Sequence, residues 1–233
     1  MTSQHALPKY VQAAEMLIRE IAAGRLADGD RLPPEREMAA QMNLSVGTLR
    51  KALADLQVKG LLERVQGSGN YVKYSSEVSG VYRFFRLESE RGGGLPTAEI
   101  LSIARLPKPV GAPHFGGSRD AHRIRRLRRI DGTAAAIEEI WLDGARIDQI
   151  RESDLSESLY LFYRRALGLW ISAAEDKVGI ETVPDWAPAA FAPTPGSLAG
   201  HVERVAKDQD GAKAEYSRTW FDPERVRYVA RLR

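Results

Sequence analysis

Three segments decide the fold of the first third of the chain: Leu32-Pro33-Pro34-Glu35-Arg36-Glu37, Asn43-Leu44-Ser45-Val46-Gly47-Thr48-Leu49-Arg50-Lys51-Ala52-Leu53, and Gly60-Leu61-Leu62-Glu63-Arg64-Val65-Gln66-Gly67-Ser68-Gly69-Asn70-Tyr71-Val72. Pro34 suits the first turn of a helix, which we expect to run to about Met42. Ser45 is a typical N-cap and would begin a second helix that ends at Gly60. Helix, polar turn, helix and glycine-tipped hairpin, in that order, predict a winged helix-turn-helix that places its second helix in the DNA major groove.

A further amphipathic helix is predicted before these segments, from Tyr10 to Ala23, with Gly24 at its C-cap. In the second helix of the motif, apolar residues share one face that we expect to be buried: Val46, Leu49, Ala52, Leu53 and Leu56. Gly47, Thr48 and Lys51 lie roughly opposite, with Arg50 at the margin. Small, hydroxyl and cationic residues near a helix N-terminus suit close approach to phosphates and base edges. Strands are predicted over 61–65 and 70–74.

Composition sets limits on the rest of the chain. The 233 residues have room for one large domain or two modest ones, and a net charge of +3 with a pI near 9.1 permits nucleic-acid binding without requiring it. The chain has no cysteine, which excludes disulfides, thiolate nucleophiles and Cys-ligated metals. No apolar run resembles a signal sequence or reaches the roughly 18 residues of a membrane span. We therefore expect a cytoplasmic protein.

The N-terminal segments resemble the DNA-binding domain of GntR-type bacterial transcription regulators over about residues 9–73. The matching motifs are Gly24 to Leu26, Gly29, Leu32-Pro33-Pro34-Glu35-Arg36, Ser45 to Leu53 and Gly67-Ser68-Gly69. The resemblance implies DNA contacts from Arg36, Ser45, Thr48, Arg50, Gln66, Gly67 and Ser68, and we add Lys51 as a second cation of the same helix. The family usually has Arg where this chain has Val46. That departure removes about one contact, worth roughly 1–3 kcal/mol, and prevents transfer of a relative's operator sequence.

The remaining two-thirds predict a mostly antiparallel α+β domain. Residues 75–80 are polar and small, as expected of a linker, so we predict a DNA-binding domain over 1–74 and a second domain over 81–233. Predicted strands cover 97–106, 122–130, 134–142, 169–183, 198–207, 212–221 and 226–232, with hairpin turns at 129–134 and 207–212. A helix is expected over 158–166, with Leu159, Phe162, Tyr163 and Ala166 as its buried set.

The most unusual run is His122-Arg123-Ile124-Arg125-Arg126-Leu127-Arg128-Arg129-Ile130. In a strand, Ile124, Arg126, Arg128 and Ile130 share one face, so two guanidiniums would point inward if the isoleucines mark the core. Buried arginines must be paired, and Arg suits bidentate binding of carboxylate or phosphate. Two alternatives stay open on sequence alone: a solvated strand with structural ion pairs, and a basic patch that touches DNA.

The second domain resembles the UTRA effector-binding domain of HutC-like GntR regulators, which has a chorismate-lyase-like fold, over about residues 80–233. The matching residues are Arg126-Leu127-Arg128-Arg129-Ile130-Asp131-Gly132, Glu138, Ser158-Leu159-Tyr160 and the late hairpin 210–217. The resemblance implies a small-molecule pocket lined by Arg126, Arg128, Glu138 and Ser158, with Tyr160, Tyr216 and Phe221 as further candidates. Residues 84–94 differ from the Ser/Thr-rich loop of many relatives, and could bring Arg86 or Ser89 to the pocket.

These observations favour a regulator over an enzyme. No nucleophile–base constellation is visible, and the four histidines (His5, His114, His122 and His201) lack metal-ligand spacing. We expect a repressor that needs no cofactor or metal, binds a pseudo-palindromic double-stranded operator as a homodimer, responds to a small anionic effector and does not associate with membranes. The alternative is an enzyme of chorismate-lyase-like fold tethered to a DNA-binding head.

Overall fold

The computed structural model describes residues 8–22, 25–73, 84–89, 96–155 and 158–230. These residues divide into two compact units, one reaching to residue 85 and the other spanning 86–229. The predicted linker, 75–80, lies outside the described residues, as does the predicted C-cap Gly24. Among the described residues, no helix is long and apolar enough to cross a membrane.

The N-terminal unit contains three helices and a hairpin, as predicted. The elements are α1 (Lys9–Ala22), α2 (Glu35–Gln41), α3 (Val46–Val58), β1 (Leu62–Val65) and β2 (Gly69–Val72). Ser45 is the N-cap of α3, and its hydroxyl accepts a hydrogen bond from the backbone N–H of Thr48 at 3.1 Å. Gly60 follows the helix with a left-handed φ of 71°, which explains why the chain turns there into β1.

The predicted buried face of α3 is confirmed. Leu49, Ala52 and Leu56 are fully buried, Leu53 is nearly so, and Val46 is half-buried against the same core. Contributions to this core come from α1, α2 and the wing strands, including Ala14, Leu17, Ile18, Met38, Leu62 and Val72. Because α3 is packed against α1, α2 and β1, its opposite face is held in a fixed position for contact with a partner.

The second unit is built on a six-stranded antiparallel sheet of order β4-β5-β6-β9-β8-β7. The strands are β4 (Pro96–Pro107), β5 (Asp120–Ile130), β6 (Thr133–Asp143), β7 (Ala173–Thr182), β8 (Leu198–Lys207) and β9 (Lys213–Phe221). Asp131 and Gly132 have φ angles of 49° and 80° in the β5–β6 turn, as the predicted Asp-Gly hairpin requires. The α+β prediction is confirmed.

The sheet has two differently covered faces. Strand register puts Arg126, Glu138 and Thr219 side by side on one face, which we call the helix face because helix α4 (Leu159–Leu167) bonds to it through Tyr163 and Glu215. The opposite, loop face carries Leu127, Ile137 and Trp220 beneath the loop residues Val183, Trp186 and Phe191. Both faces are therefore covered over the central strands β5, β6 and β9, and the charged residues of the helix face are enclosed there.

Smaller elements differ from the sequence prediction. Strands β3 (Leu87–Ser89) and β10 (Val226–Tyr228) form a separate two-stranded sheet; β3 was not predicted, and β10 is shorter than the predicted 226–232. Helix α4 buries Leu159, Phe162 and Tyr163, but Ala166 is exposed, so its assignment to the buried set was wrong. The helix ends one residue later, at Leu167, before the left-handed Gly168, and this last turn faces solvent.

Leu56→Ala is expected to lower the free energy of unfolding of the N-terminal unit by about 2–5 kcal/mol, because it removes a fully buried side chain and leaves a cavity. Val58→Ala on the same helix is the matched control, since Val58 is 89% exposed and should change stability by less than about 0.5 kcal/mol. Urea unfolding followed by helical circular dichroism measures both. Equal losses would contradict the packing of α3.

Candidate functional site

The start of α3 presents its polar groups outward. The hydroxyls of Ser45 and Thr48 lie 2.8 Å apart while Ser45 caps the helix, so both are held at the N-terminus. Gly47 and Lys51 are exposed, and an added Cβ at Gly47 would meet only the Ser45 hydroxyl, at 3.9 Å. Free backbone N–H groups and small side chains at a helix N-terminus favour approach of a phosphate. Val46, in contrast, is half-buried and packs against the core of the N-terminal unit.

Glu35 connects three elements on this surface. Its Oε2 accepts a hydrogen bond from Arg50 Nε at 2.6 Å, and its Oε1 lies 3.7 Å from Arg64 NH2. The side chains of Arg50 and Arg64 are 62% and 61% exposed. The carboxylate at the start of α2 thus orients one guanidinium from α3 and one from the wing, and both remain accessible to DNA.

The wing tip is shaped by its glycines. Gly67 and Gly69 have φ angles of 75° and 134°, which other residues rarely adopt, and the Ser68 hydroxyl bonds the Tyr71 hydroxyl at 2.6 Å. Between this tip and residues 31–35 lies a groove of about 710 Å³. The Arg31 side chain enters the tip, with Nε 3.2 Å from the position of a Cβ on Gly69. A larger residue at Gly69 would be strained by this φ angle and would require the Arg31 side chain to shift by a few tenths of an ångström.

The structure brings the sequence-predicted DNA contacts of the N-terminal unit to α2, α3 and the wing. Arg36, Arg50, Lys51, Gln66 and Gly67 are exposed, and the remaining three, Ser45, Thr48 and Ser68, are bonded as described above. Sequence reasoning missed Arg31 and Arg64, two exposed cations of the same unit. Their signal was weak, because single arginines outside the family motif are common on any protein surface.

A buried ionic group lies on the helix face of the second unit. Arg126 NH2 is 2.7 Å and Arg128 NH2 is 3.1 Å from the same Glu138 Oε2, and the three residues are 3%, 4% and 7% exposed. Burial alone would raise the pKa of Glu138, but the two guanidiniums reverse this and hold the pKa below its ordinary value. Burial lowers the pKa of Arg126 against the attraction of Glu138. The inward-facing arginines predicted from the alternation are confirmed.

Two other arginines of β5, Arg125 and Arg129, have carboxylate partners on the loop face or at its margin. Arg125 bonds Glu139 at 2.7 Å and lies over the Trp186 ring at 4.5 Å, and Arg129 lies 3.4 Å from Glu99. For Arg125 and Arg129, the alternative interpretation of the arginine-rich run as structural ion pairs therefore fits. The same run thus divides by face into an enclosed pair and a half-buried set.

Glu215 on β9 adds a second carboxylate to the helix face. Tyr163 OH donates to its Oε2 at 2.6 Å, and Tyr160 OH donates to its Oε1 at 3.3 Å. Burial raises the pKa of Glu215, and the tyrosine hydrogen bonds with the nearby Arg204 and Arg126 offset only part of that effect. Burial beside Glu215 also raises the pKa of both tyrosines, so each hydroxyl stays a donor.

The polar contacts continue across the sheet to β7. Arg204 on β8 donates two hydrogen bonds to Asp176, at 2.5 and 2.6 Å, and the Tyr228 hydroxyl donates a third at 2.6 Å. Burial would raise the pKa of Asp176, but the Arg204 bonds and charge lower it. Arg86 also lowers the pKa of Asp176, which places its charge near this end of the network.

The structure brings most of the predicted pocket residues to the helix face. Ser158 is 2% exposed and caps α4, accepting from Leu161 N–H at 3.3 Å. Phe221 lies at the end of β9 on the helix face, and its ring covers Gly200, where an added Cβ would come within 2.3 Å of it. Arg86 lies at the Asp176 end rather than beside Arg126.

Tyr216 is the exception and corrects the prediction. In β9 its neighbours Glu215 and Ser217 point to the helix face, so the alternation of the strand sends Tyr216 to the loop face. There it packs with Phe115, Ala121 and Trp141. A two-residue periodicity argument from Glu215 could have excluded Tyr216.

Sequence reasoning missed Glu215, Tyr163 and Arg204. The signal for Glu215 was present, because a carboxylate at an enclosed strand position needs partners, but the strand faces had to be aligned first. Tyr163 was assigned to the core without a role for its hydroxyl. Across the part of the chain that the structure describes, no cluster of three or more histidine or carboxylate residues could hold a metal ion.

Two family models match the chain. The model for bacterial regulatory proteins of the gntR family matches residues 9–72, and the UTRA domain model matches residues 91–227. Together they cover both compact units. The second match alone spans more than half of the chain.

Known proteins support the same assignment. The chain is 60% identical over 228 residues to the HTH-type transcriptional regulator SmoD of Agrobacterium fabrum, covering 98% of this chain and 97% of that protein. It is 26% identical over 238 residues to the HTH-type transcriptional repressor NagR of Bacillus subtilis, covering 98% and 96%.

Solved structures show the same fold. The crystal structure of the regulator YydK from Bacillus subtilis has a TM-score of 0.55 at 22% identity, covering 97% of this chain and 100% of that one. The ligand-binding domain of a GntR-family regulator from Bordetella bronchiseptica has a TM-score of 0.58 at 20% identity, covering 65% and 99%.

Glu138→Gln and Glu215→Gln are expected to change stability with opposite pH dependence. The pKa of Glu138 is lowered, so its ionised form stabilises the fold above the ordinary value of about 4.3, and this contribution is lost as the pH falls through the folded-state pKa. Glu138→Gln should therefore be most destabilising near neutral pH.

The pKa of Glu215 is raised, so its protonated form favours the fold below about pH 4.3, and that contribution is lost as the pH rises through the folded-state pKa. Glu215→Gln should therefore gain stability relative to the unaltered chain as the pH rises. Urea unfolding between about pH 4 and 8 measures both differences. Parallel slopes for the two variants would contradict the two assignments.

Proposed function

The chain belongs to the GntR family of bacterial regulatory proteins, and we propose that it is a repressor that leaves its operator when a small anionic metabolite binds the helix face of its UTRA domain. The observation that carries this proposal is the enclosed Arg126–Glu138–Arg128 group, in the same chain as an exposed DNA-binding surface.

The general function follows from the family. The protein is a DNA-binding transcription regulator, and UTRA is the ligand-binding domain of such regulators. Repression is the finer proposal, and it is supported by relatives named as repressors, among them NagR of Bacillus subtilis and the mannosyl-D-glycerate transport/metabolism system repressor MngR of Escherichia coli. We therefore propose control of a catabolic or transport operon, exercised in the cytoplasm, where bacterial DNA lies.

A homodimer on a pseudo-palindromic operator is proposed for the DNA side. One recognition helix contacts only a few base pairs, and two-fold pairing joins two such half-sites about one helical turn apart. In α3, the exposed Arg50 and Lys51 and the hydroxyl of Thr48 supply the base and phosphate contacts, while Arg36 and wing residues 66–68 supply further contacts to the backbone. An effector that binds better to the dimer arrangement unable to fit both half-sites releases the DNA.

The charges of the helix face support an anionic effector. Arg126, Arg128 and Arg204 bring three positive charges, against the two negative charges of Glu138 and Asp176 and a Glu215 whose pKa burial has raised. Within the enclosed group of Arg126, Arg128 and Glu138, two positive charges face one negative charge. A phosphate, sulfonate or carboxylate would share the guanidiniums with Glu138, because Arg binds such groups bidentately. The α4 N-terminus at Ser158 supplies donors beside it, and the Tyr160 hydroxyl, which donates to Glu215, would have to exchange that carboxylate for the effector.

The proton states of these groups suit ligand binding better than acid–base catalysis. Glu138 is held ionised by two arginines, and the hydroxyls of Tyr160 and Tyr163 have raised pKa values, so each group keeps its proton state near neutral pH. A general acid or base needs a pKa near the operating pH. The relatives are named as regulators, so we propose a binding site rather than an active site.

Arg50→Ala should weaken binding to a duplex selected by the unaltered protein from a random pool by about 1–3 kcal/mol at fixed salt, because it removes an exposed contact held by Glu35. Lys59→Ala is the charge-matched control. Lys59 lies just beyond the opposite end of α3, 2.6 Å from Asp55, and its loss should change affinity far less. Fluorescence anisotropy measures both; equal losses would contradict the assignment of the α3 N-terminus.

Arg128→Ala should reduce effector affinity at least about ten-fold, the cost of losing a charge-assisted hydrogen bond. The effector is first found as the member of a panel of small phosphates, sulfonates and carboxylates that releases DNA from the unaltered protein. Arg129→Ala is the matched control, because the neighbouring Arg129 lies on the other side of β5 beside Glu99. Calorimetric titration measures both variants.

Unchanged affinity in Arg128→Ala would contradict the proposed binding face. Recovery of the compound unaltered after incubation separates binding from turnover, and catalytic conversion would contradict the proposed regulator role of the UTRA domain.

A further inference from the structure

The two edge strands of the six-stranded sheet differ in their protection. At one edge, β4 has proline at both ends, Pro96 and Pro107, and a bulge between Ile100 and Ser102. These features prevent another strand from adding to an edge. At the other edge, β7 pairs with β8 over ten residues without a register shift and contains no proline. Among the described residues, β7 is therefore the edge open to strand addition.

The backbone of β7 presents its outward groups at even-numbered positions. Val183 donates its N–H to the carbonyl of Ser197 on the β8 side, and antiparallel pairing alternates. Odd-numbered residues of β7 therefore direct N–H and C=O toward β8, and even-numbered residues direct theirs outward. We call these outward-directed backbone groups the outward ladder. It includes those of Asp176, Val178, Ile180 and Thr182.

The side chains at this edge are apolar where solvent exposure would predict polar residues. Val178 is 53%, Ile180 72% and Leu198 68% exposed, and strand register puts all three on the helix face. These are three of the six large apolar side chains that stand out as exposed among the described residues. Their clustering beside an unpaired backbone indicates a surface that is covered in the assembled protein.

We propose that β7 pairs antiparallel with β7 of a second copy of this chain about a two-fold axis at Gly179, joining the two sheets into one. This inference rests on the homodimer of the proposed function and names its surface. In this register Val178 faces the partner copy's Ile180, and Lys177 faces the partner copy's Glu181, each twice by symmetry. Opposite charges and aliphatic pairs across antiparallel strands are stabilising.

Neighbouring registers that keep the same outward ladder are less favourable. An axis at Val178 puts Glu175 opposite a second Glu181, and an axis at Lys177 puts two lysines opposite each other. An axis at Ile180 removes the Lys177–Glu181 pairs. Like charges directly opposite are destabilising, so the charge pattern favours Gly179.

Gly179 suits the axis position. It is not in a left-handed conformation, and an added Cβ would meet nothing within 4 Å. As an odd-numbered residue it would face its symmetry copy in a non-hydrogen-bonded pair, in which the two Cα atoms lie about 4.5 Å apart. Within its own chain, Glu181 Oε2 lies 3.8 Å from Arg218 NH2 and its Oε1 accepts a hydrogen bond from the Thr182 N–H at 3.1 Å, so pairing with Lys177 of the other copy would add to these contacts or replace the Thr182 bond.

Gly179→Cys tests the register directly, because the chain has no cysteine of its own. Two cysteines at the axis would fall within disulfide distance, so mild oxidation should convert the full-length protein into a covalent dimer on non-reducing gels. Lys177→Cys is the matched control, because its two copies would lie roughly 14 Å apart and should not cross-link. Cross-linking of Lys177→Cys but not Gly179→Cys would overturn the register.

Charge exchange provides an independent test by analytical ultracentrifugation. Lys177→Glu or Glu181→Lys alone should raise the dimer dissociation constant roughly ten-fold, and the double variant should restore it. Ile180→Asp should give a folded monomer of 25.9 kDa, with circular dichroism unchanged. Val110→Asp is the control, because Val110 is fully exposed on the same unit but away from β7, and it should remain dimeric.

The outcomes separate this inference from the proposed function. An unaltered chain that is dimeric, yet neither cross-links at Gly179→Cys nor dissociates in Ile180→Asp, overturns the β7 interface and leaves the dimeric regulator intact. An unaltered chain that is monomeric both free and on its selected duplex contradicts the dimer in both proposals.

Discussion

The pairing of Arg126 and Arg128 with the single carboxylate of Glu138 is the interaction on which the second unit depends. A guanidinium that is almost fully enclosed costs several kcal/mol of desolvation unless a partner is fixed beside it, and here two guanidiniums share one carboxylate. One positive charge therefore exceeds the negative charge within this group of three. Strand pairing places Arg126 opposite Glu138. A shift in the register of β5 and β6 would therefore separate the charges that form the site.

The same constraint extends from the proposed effector site to the open edge of the sheet. The charge of Arg126 on β5 acts on Glu215 of β9, Glu215 accepts a hydrogen bond from Tyr160, and Tyr160 adjoins Arg204, which binds Asp176 on β7. Asp176 is two residues from Val178 and three from Gly179. Arg204 is therefore bonded directly to the strand proposed to join the two copies. Proteins transmit binding through such contiguous packed and hydrogen-bonded groups when the element at the far end has two arrangements.

Sequence predicted the fold well where local periodicity carries the information. The wing hairpin, the Ser45 cap and the alternation that turns Arg126 and Arg128 inward were all readable, because each depends on residues close in the chain. The position of Tyr216, the role of Glu215 and the exposure of Ala166 were not, because each depends on which face of a distant element is covered. The identity of a side chain indicates which chemistry it can perform, whereas the strand register determines which side chains come into contact.

In the DNA-binding unit a buried constraint also decides what the surface can do. Val46 packs against the core, so the cations that α3 presents to solvent are Arg50 and Lys51. Glu35 holds Arg50 and lies close to Arg64, and its negative charge opposes phosphates that approach without matching this geometry. Arg50 must give up its bond to Glu35 before it can bind DNA. Such an arginine contributes less to non-specific attraction and more to discrimination between DNA sequences.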